Sequence, residues 1–112
     1  MNEAAAEKIA SRLAELWQTS RPTILERMTV LHAAAEALAA NPLDQESRER
    51  GREAAHKLSG VLGIFGLPQG SEIASRLEDL LKSAEPLQPD DIRRVRSQIG
   101  ELEAVIASKS PQ

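Results

Sequence analysis

The sequence predicts an all-α fold: an antiparallel up-down four-helix bundle with an additional N-terminal helix. Three observations lead there. Apolar residues recur at helical spacing almost throughout, and no convincing alternating stretch marks a strand. Proline and glycine gather at a few short interruptions between long amphipathic runs. Loops that short between helices that long imply antiparallel neighbours.

The elements follow in order. A first helix is expected over roughly Asn2 to Gln18, with Ile9, Leu13, Leu16 and Trp17 on one side. Ser20-Arg21-Pro22 marks a boundary, because proline suits a first helical position. The second helix then runs to about Ala40, with Ile24, Met28, Leu31, Ala35 and Leu38 stepping by four and three, and Asn41-Pro42 stops it. Asp44 is placed to N-cap a third helix that ends near Gly66. "GLPQGS" reads as a turn, and a fourth helix turns Ile73, Leu77, Leu80, Leu81 and Ala84 inward. After the loop "AEPLQPDD", Pro89-Asp90 opens a last helix carrying Ile92, Val95, Ile99, Leu102 and Ile106. The polar tail "SKSPQ" is expected to fray.

At 112 residues the chain reads as one domain, 1–108, with a flexible tail at 109–112. A composition 41% hydrophobic and 28% charged, rich in Ala, Leu, Glu and Arg, describes a soluble helical domain. The net charge of −3 and scattered basic residues argue against nucleic acid, and one Trp and one Phe make no stacking platform. No run approaches a membrane span, and the start "MNEAAAEKIASRL" has no apolar signal region. The absence of cysteine fits a reducing compartment, so a cytoplasmic location is expected.

One stretch, "AAHKLSGVLGIFG" from Ala54 to Gly66, places three glycines beside one of only two histidines. A glycine inside a helix costs roughly 1 kcal/mol against alanine. On a wheel with Leu58 at zero, Ala54, Val61, Leu62 and Phe65 fall within about 60° of it and form the buried stripe. His56 falls at about 160°, Gly60 at about −160° and Gly63 at about 140°, all on the opposite face. Gly66 is left as a helix terminator. Two glycines thus bare the surface beside an exposed imidazole, as close approach of a partner would require.

Metal binding wants further ligands at helical or Cys/His spacing, and none is present. His32 lies at the rim of its helix's apolar stripe and reads as structural. Hydrolysis wants a concave pocket, which the outer face of a bundle does not offer. An exposed imidazole can instead act as a nucleophile towards a phosphoryl group, with a partner supplying the metal and most of the charge stabilisation.

These residues resemble the histidine-containing phosphotransfer (HPt) domain, whose pattern is His-x-Leu-Lys-Gly, small residues, an apolar turn and a further helix. This chain reads "HKLSG" from His56 to Gly60, then "VLGIFGLPQG", then "IASRLEDLLKS", a match spanning roughly Asp44 to Ser83. The resemblance implies that His56 is the phosphoacceptor through Nε2. It implies that Gly60, extended by Gly63, clears room for a docking receiver domain, and that Lys57 occupies a frequently basic position. Ser59 stands where the family often has lysine, which weakens local phosphate stabilisation. Glu78 matches a Gln/Glu position that hydrogen-bonds Nδ1 of the histidine; the other reading is a solvated glutamate in "RLEDLL". Arg52 lies one turn before His56 and would contact partner or phosphate, or simply pair with Glu49 or Glu53.

The function implied is that of an intermediate in a two-component His-Asp phosphorelay. Its partners would be a response-regulator receiver domain and a histidine kinase or hybrid kinase. The docking surface would be the third-helix face with Glu49, Arg52, Glu53, His56, Gly60 and Gly63. No nucleotide-binding motif is present, so no ATP-dependent activity is expected, and no cofactor; Mg²⁺ would belong to the receiver. The alternative is a non-catalytic helical adaptor that binds such domains and transfers nothing.

Overall fold

The computed structural model describes residues 3–83 and 85–109. Four helices carry it: α1 (Glu3–Ala40), α2 (Gln45–Ile64), α3 (Pro68–Lys82) and α4 (Pro89–Ser108). No strand occurs among the described residues. Each helix packs on two neighbours, α1 on α2, α2 on α3, α3 on α4 and α4 back on α1. As α2 advances from Arg48 through His56 to Ser59, its partners on α3 recede from Leu81 through Glu78 to Ser71. Those two helices therefore run in opposite directions. So do α1 and α4, where His32 meets Glu103 and Glu36 meets Arg96.

The boundary expected at Pro22 is not there. One helix runs straight through it, so no separate N-terminal helix exists. A proline in a helix interior costs about 3 kcal/mol. Trp17, Ile24, Met28, Leu31, Ala35 and Leu38 nevertheless form one unbroken buried stripe across it. Burying a large apolar side chain is worth roughly 1.5–3 kcal/mol, so keeping both Trp17 and Ile24 in register outweighs the proline. Trp17 seals that end of the core edge-on against Phe65, with centroids 5.3 Å apart, and the Lys109 ammonium lies over its ring.

A straight helix of this length reaches about 57 Å, whereas the twenty-residue α2 and α4 reach about 30 Å. The molecule is accordingly 54 Å long and about 20 Å across. The stripe of α1 outlasts its partners: Ile9, Leu13 and Leu16 are exposed, and only Trp17 of that expected apolar side is buried.

Asp44 caps α2 by accepting the Ser47 amide at 3.1 Å, and these hydrogen bonds hold its carboxyl below the usual aspartate value. Gly66 stops α2 with φ +73°: its amide donates to Gly63 and that of Leu67 donates to Leu62, a Schellman closure. The turn is shorter than "GLPQGS" suggests. Pro68 already opens α3, and Gly70 is buried where an added Cβ would meet Leu62 and Val105 at 3.1 and 3.2 Å. Gly51 plays the same part between α1 and α3, where a Cβ would lie 3.0 Å from that of Ala34. Arg48, 3% exposed, donates to the carbonyls of Leu81 and Glu85, a buried cation at the negative end of α3. The Gln88 amide donates to Asp91 at the start of α4.

Ile73, Leu80 and Ile92 are partly buried against the core, while Leu77, Leu81, Val95, Ile99, Leu102 and Ile106 are buried within it. Asn2, Ala84 and residues 110–112, expected in the first helix, the inward stripe of the fourth and the tail, lie outside the described residues. No helix among the described residues is long and apolar enough to cross a membrane.

Candidate functional site

Burial of Ala54, Leu58, Leu62 and Phe65 fixes the rotation of α2 about its axis. The opposite face must then look outwards. His56 is there, its side chain 67% exposed, with Gly60 one turn further on. A Cβ added at Gly60 would meet nothing within 4 Å. Gly63 lies at the edge of this bare strip, leaning towards α3, where a Cβ would reach Ser71 Oγ at 3.6 Å. The site lies on the open outer face of α2. The roughly 400 Å³ hollow between α3 and α4, lined by Arg76, Leu80, Leu87 and Arg94 among others, includes neither His56 nor Glu78.

On α3, Leu77 and Leu81 point into the core, which leaves Glu78 at the flank facing α2. Its side chain is only 17% exposed, and Oε2 lies 3.0 Å from His56 Nδ1. An ionised carboxylate can only accept, so Nδ1 carries the hydrogen and donates it to Glu78. In the neutral ring the lone pair then resides on Nε2, the outer nitrogen. Glu78 is thus a partner of His56 and not a solvated glutamate.

Arg52 is turned towards the same carboxylate. Its Nη1 lies 3.6 Å from Glu78 Oε2, while Nε and Nη2 donate to Glu49 at 3.0 and 2.5 Å. The hydrogen bonds between Arg52 and Glu49 hold the Glu49 carboxyl below its ordinary value and raise the guanidinium above its own. Arg52 is 27% exposed and serves two partners at once, Glu49 on its own helix and Glu78 on α3.

The other site residues separate by side of the helix. Lys57 donates to Glu53 at 3.0 Å, and both line the groove between α1 and α2 with Glu26 and Arg27. Its ammonium is thus engaged on the α1 side of the helix, whereas the imidazole pairs with Glu78 on the α3 side. Ser59 is likewise engaged elsewhere: its hydroxyl donates to the Ser71 carbonyl at 3.1 Å, and the Ser71 hydroxyl donates back to the Ser59 carbonyl at 2.8 Å. This reciprocal clasp joins α2 to α3 beside the bare strip. The sequence offered no signal for it, because two serines twelve positions apart acquire meaning only once the turn at Gly66 is closed. His32 lies at the rim of the bundle, where Nε2 meets Glu103 Oε2 at 3.0 Å. No group of three or more His, Cys, Asp or Glu among the described residues is arranged to hold a metal ion.

Comparison with known proteins bears on this arrangement. Protein RcaC of Microchaete diplosiphon is 39% identical over 77 residues, which are 69% of this chain and 12% of that protein. The chain therefore corresponds to a small part of that relative's length. No solved structure matches. The Hpt domain family model matches residues 7–105, nearly the whole bundle with His56 at its centre. The chain belongs to the Hpt family of histidine-containing phosphotransfer domains.

Proposed function

We propose that His56 is the phosphoryl carrier of a His-Asp phosphorelay. The observation that supports this most is the division of labour on the ring: Nδ1 is held by Glu78, and Nε2 is left on a bare, exposed face. The Nε2 lone pair attacks phosphorus of a receiver's aspartyl phosphate, the bond from phosphorus to the acyl oxygen breaks, and the aspartate carboxylate leaves. The ring gains positive charge as the P–N bond forms, and the Glu78 carboxylate stabilises it through the Nδ1 hydrogen. The reverse step passes the group to a second receiver aspartate. Mg²⁺ belongs to the receiver, and this chain supplies the nucleophile and its orientation.

The docking face is the α2 surface around His56, Gly60 and Gly63, rimmed by Glu49 and Glu53. A histidine kinase or hybrid kinase stands upstream of the receiver that loads it. Incubation with a phosphorylated receiver should give acid-labile, base-stable label on the wild type and none on His56→Gln. Absence of label with several receivers that nevertheless bind would leave the adaptor role.

A further inference from the structure

The imidazole is oriented by Glu78, which raises the question of what orients Glu78. A glutamate side chain has three free torsions, and one hydrogen bond to a mobile ring does not fix them. The structure supplies a second constraint. Glu49, Arg52 and His56 fall on successive turns of one face of α2, and Glu78 faces them from α3. The planar guanidinium presents one edge, Nε and Nη2, to the Glu49 carboxylate in a bidentate pair. That pairing sets the plane of Arg52 and aims the remaining nitrogen, Nη1, at Glu78 Oε2. The oxygen approached is the one that accepts from His56.

We propose that Arg52 is a positioning residue for the phosphoacceptor, acting through Glu78. Resting on the assignment of His56 as carrier, this names the side chain that keeps its nucleophile on the outer nitrogen. The guanidinium at 3.6 Å lies beyond hydrogen-bond length, so it acts as a fixed positive charge. That charge holds the Glu78 carboxylate turned towards α2, hence accepting from Nδ1. Without it the carboxylate is free to swing to solvent, the ring loses its preference between tautomers, and part of the population carries its hydrogen on Nε2, where no attack is possible. Lys57 cannot substitute, because it is paired with Glu53 on the other flank of α2.

The decisive experiment separates positioning from docking by using a donor with no docking surface. Phosphoramidate transfers its phosphoryl group to Nε2 with cleavage of its own P–N bond and departure of ammonia. Arg52→Met should be labelled by phosphoramidate about tenfold more slowly than wild type, the low end of what loss of an orienting partner costs. Imidazole ¹⁵N spectra of the same variant, above the titration of the ring, should show a larger share of the Nε2-protonated tautomer. Arg52→Lys, which returns a cation to the site, should recover part of both effects. Glu49→Gln, which leaves Arg52 in place but loosens its anchor, should shift both in the same direction by less. Spectra and phosphoramidate labelling equal to wild type, with slowing only towards a receiver, would make Arg52 a docking residue and overturn the proposal. Wild type that takes no label on His56 from either donor would instead overturn the carrier assignment beneath it.

Discussion

The molecule contains two histidine–glutamate pairs, each bridging neighbouring helices with a 3.0 Å contact, and they differ in every respect that matters chemically. Between α1 and α4, His32 is tied through Nε2 to a glutamate that is itself 58% exposed. Its untied nitrogen is the one nearer the main chain. Between α2 and α3, His56 is tied through Nδ1 to a glutamate that is 17% exposed and backed by Arg52. An open glycine even lies one turn along the helix in each case, Gly100 before Glu103 on α4 and Gly60 after His56 on α2. Residue types alone therefore do not make a carrier. On the proposed assignment, the ring nitrogen left outward, and the partner that holds the inner one, distinguish a carrier from a surface brace.

The comparison can be broken most directly at the rings. His56→Gln should abolish phosphoryl label, while His32→Gln should keep it in full; equal loss in both would remove the distinction. One step down, Glu78→Ala should slow labelling by phosphoramidate roughly tenfold or more, as loss of an orienting partner does. Glu103→Ala should leave that rate unchanged. The glycines give a smaller contrast with a built-in control for folding. Gly60→Gln should slow transfer from a receiver about tenfold, equivalent to about 1.4 kcal/mol, with phosphoramidate labelling retained. Gly100→Gln should affect neither. Urea titration should find both variants more stable than wild type, by roughly 0.5 kcal/mol, because each replaces an unpacked helical glycine.

The smallest effect concerns the rim. Arg52 holds the Glu49 carboxyl below its ordinary value of 4.5. A depressed carboxylate contributes stability above its unfolded value and loses it as pH falls through the folded one. The stability gap between wild type and Glu49→Gln should therefore be present at neutral pH and close as pH falls below 4.5 and through the lowered folded value. Solvent screening at so exposed a pair keeps the gap small.

Much of this was legible in the chain. Leu58 and its helical neighbours determine which face of α2 is buried, and the exposed positions of His56 and Gly60 follow from 3.6 residues per turn. The Glu78 contact required knowing how α3 lies on α2, which is why two readings of that residue stood open until the helices were placed. Pro22 misled because a local breaker was weighed without the long-range burial of Trp17. Gly70 misled in the opposite sense. Beside Pro68 it looks like turn material, yet it lies inside α3 where an added Cβ would crowd Leu62 and Val105. Gly51 and Arg48 carried no local signal, since a glycine between two packed helices and a cation on a distant helix end are tertiary facts.

Pro22 has one more consequence. It has no amide hydrogen, so the ladder of α1 lacks the rung that would reach back to Gln18. On the far side of that missing rung lies the stretch whose Ile9, Leu13 and Leu16 stand outside the core, and on the near side lies the stripe buried within it. Amide exchange followed residue by residue should therefore divide α1 near Pro22, with slow protons from Ile24 onwards and fast ones from Glu3 to Leu16. By geometry α1 is a single helix; by the free energy of local opening it is two.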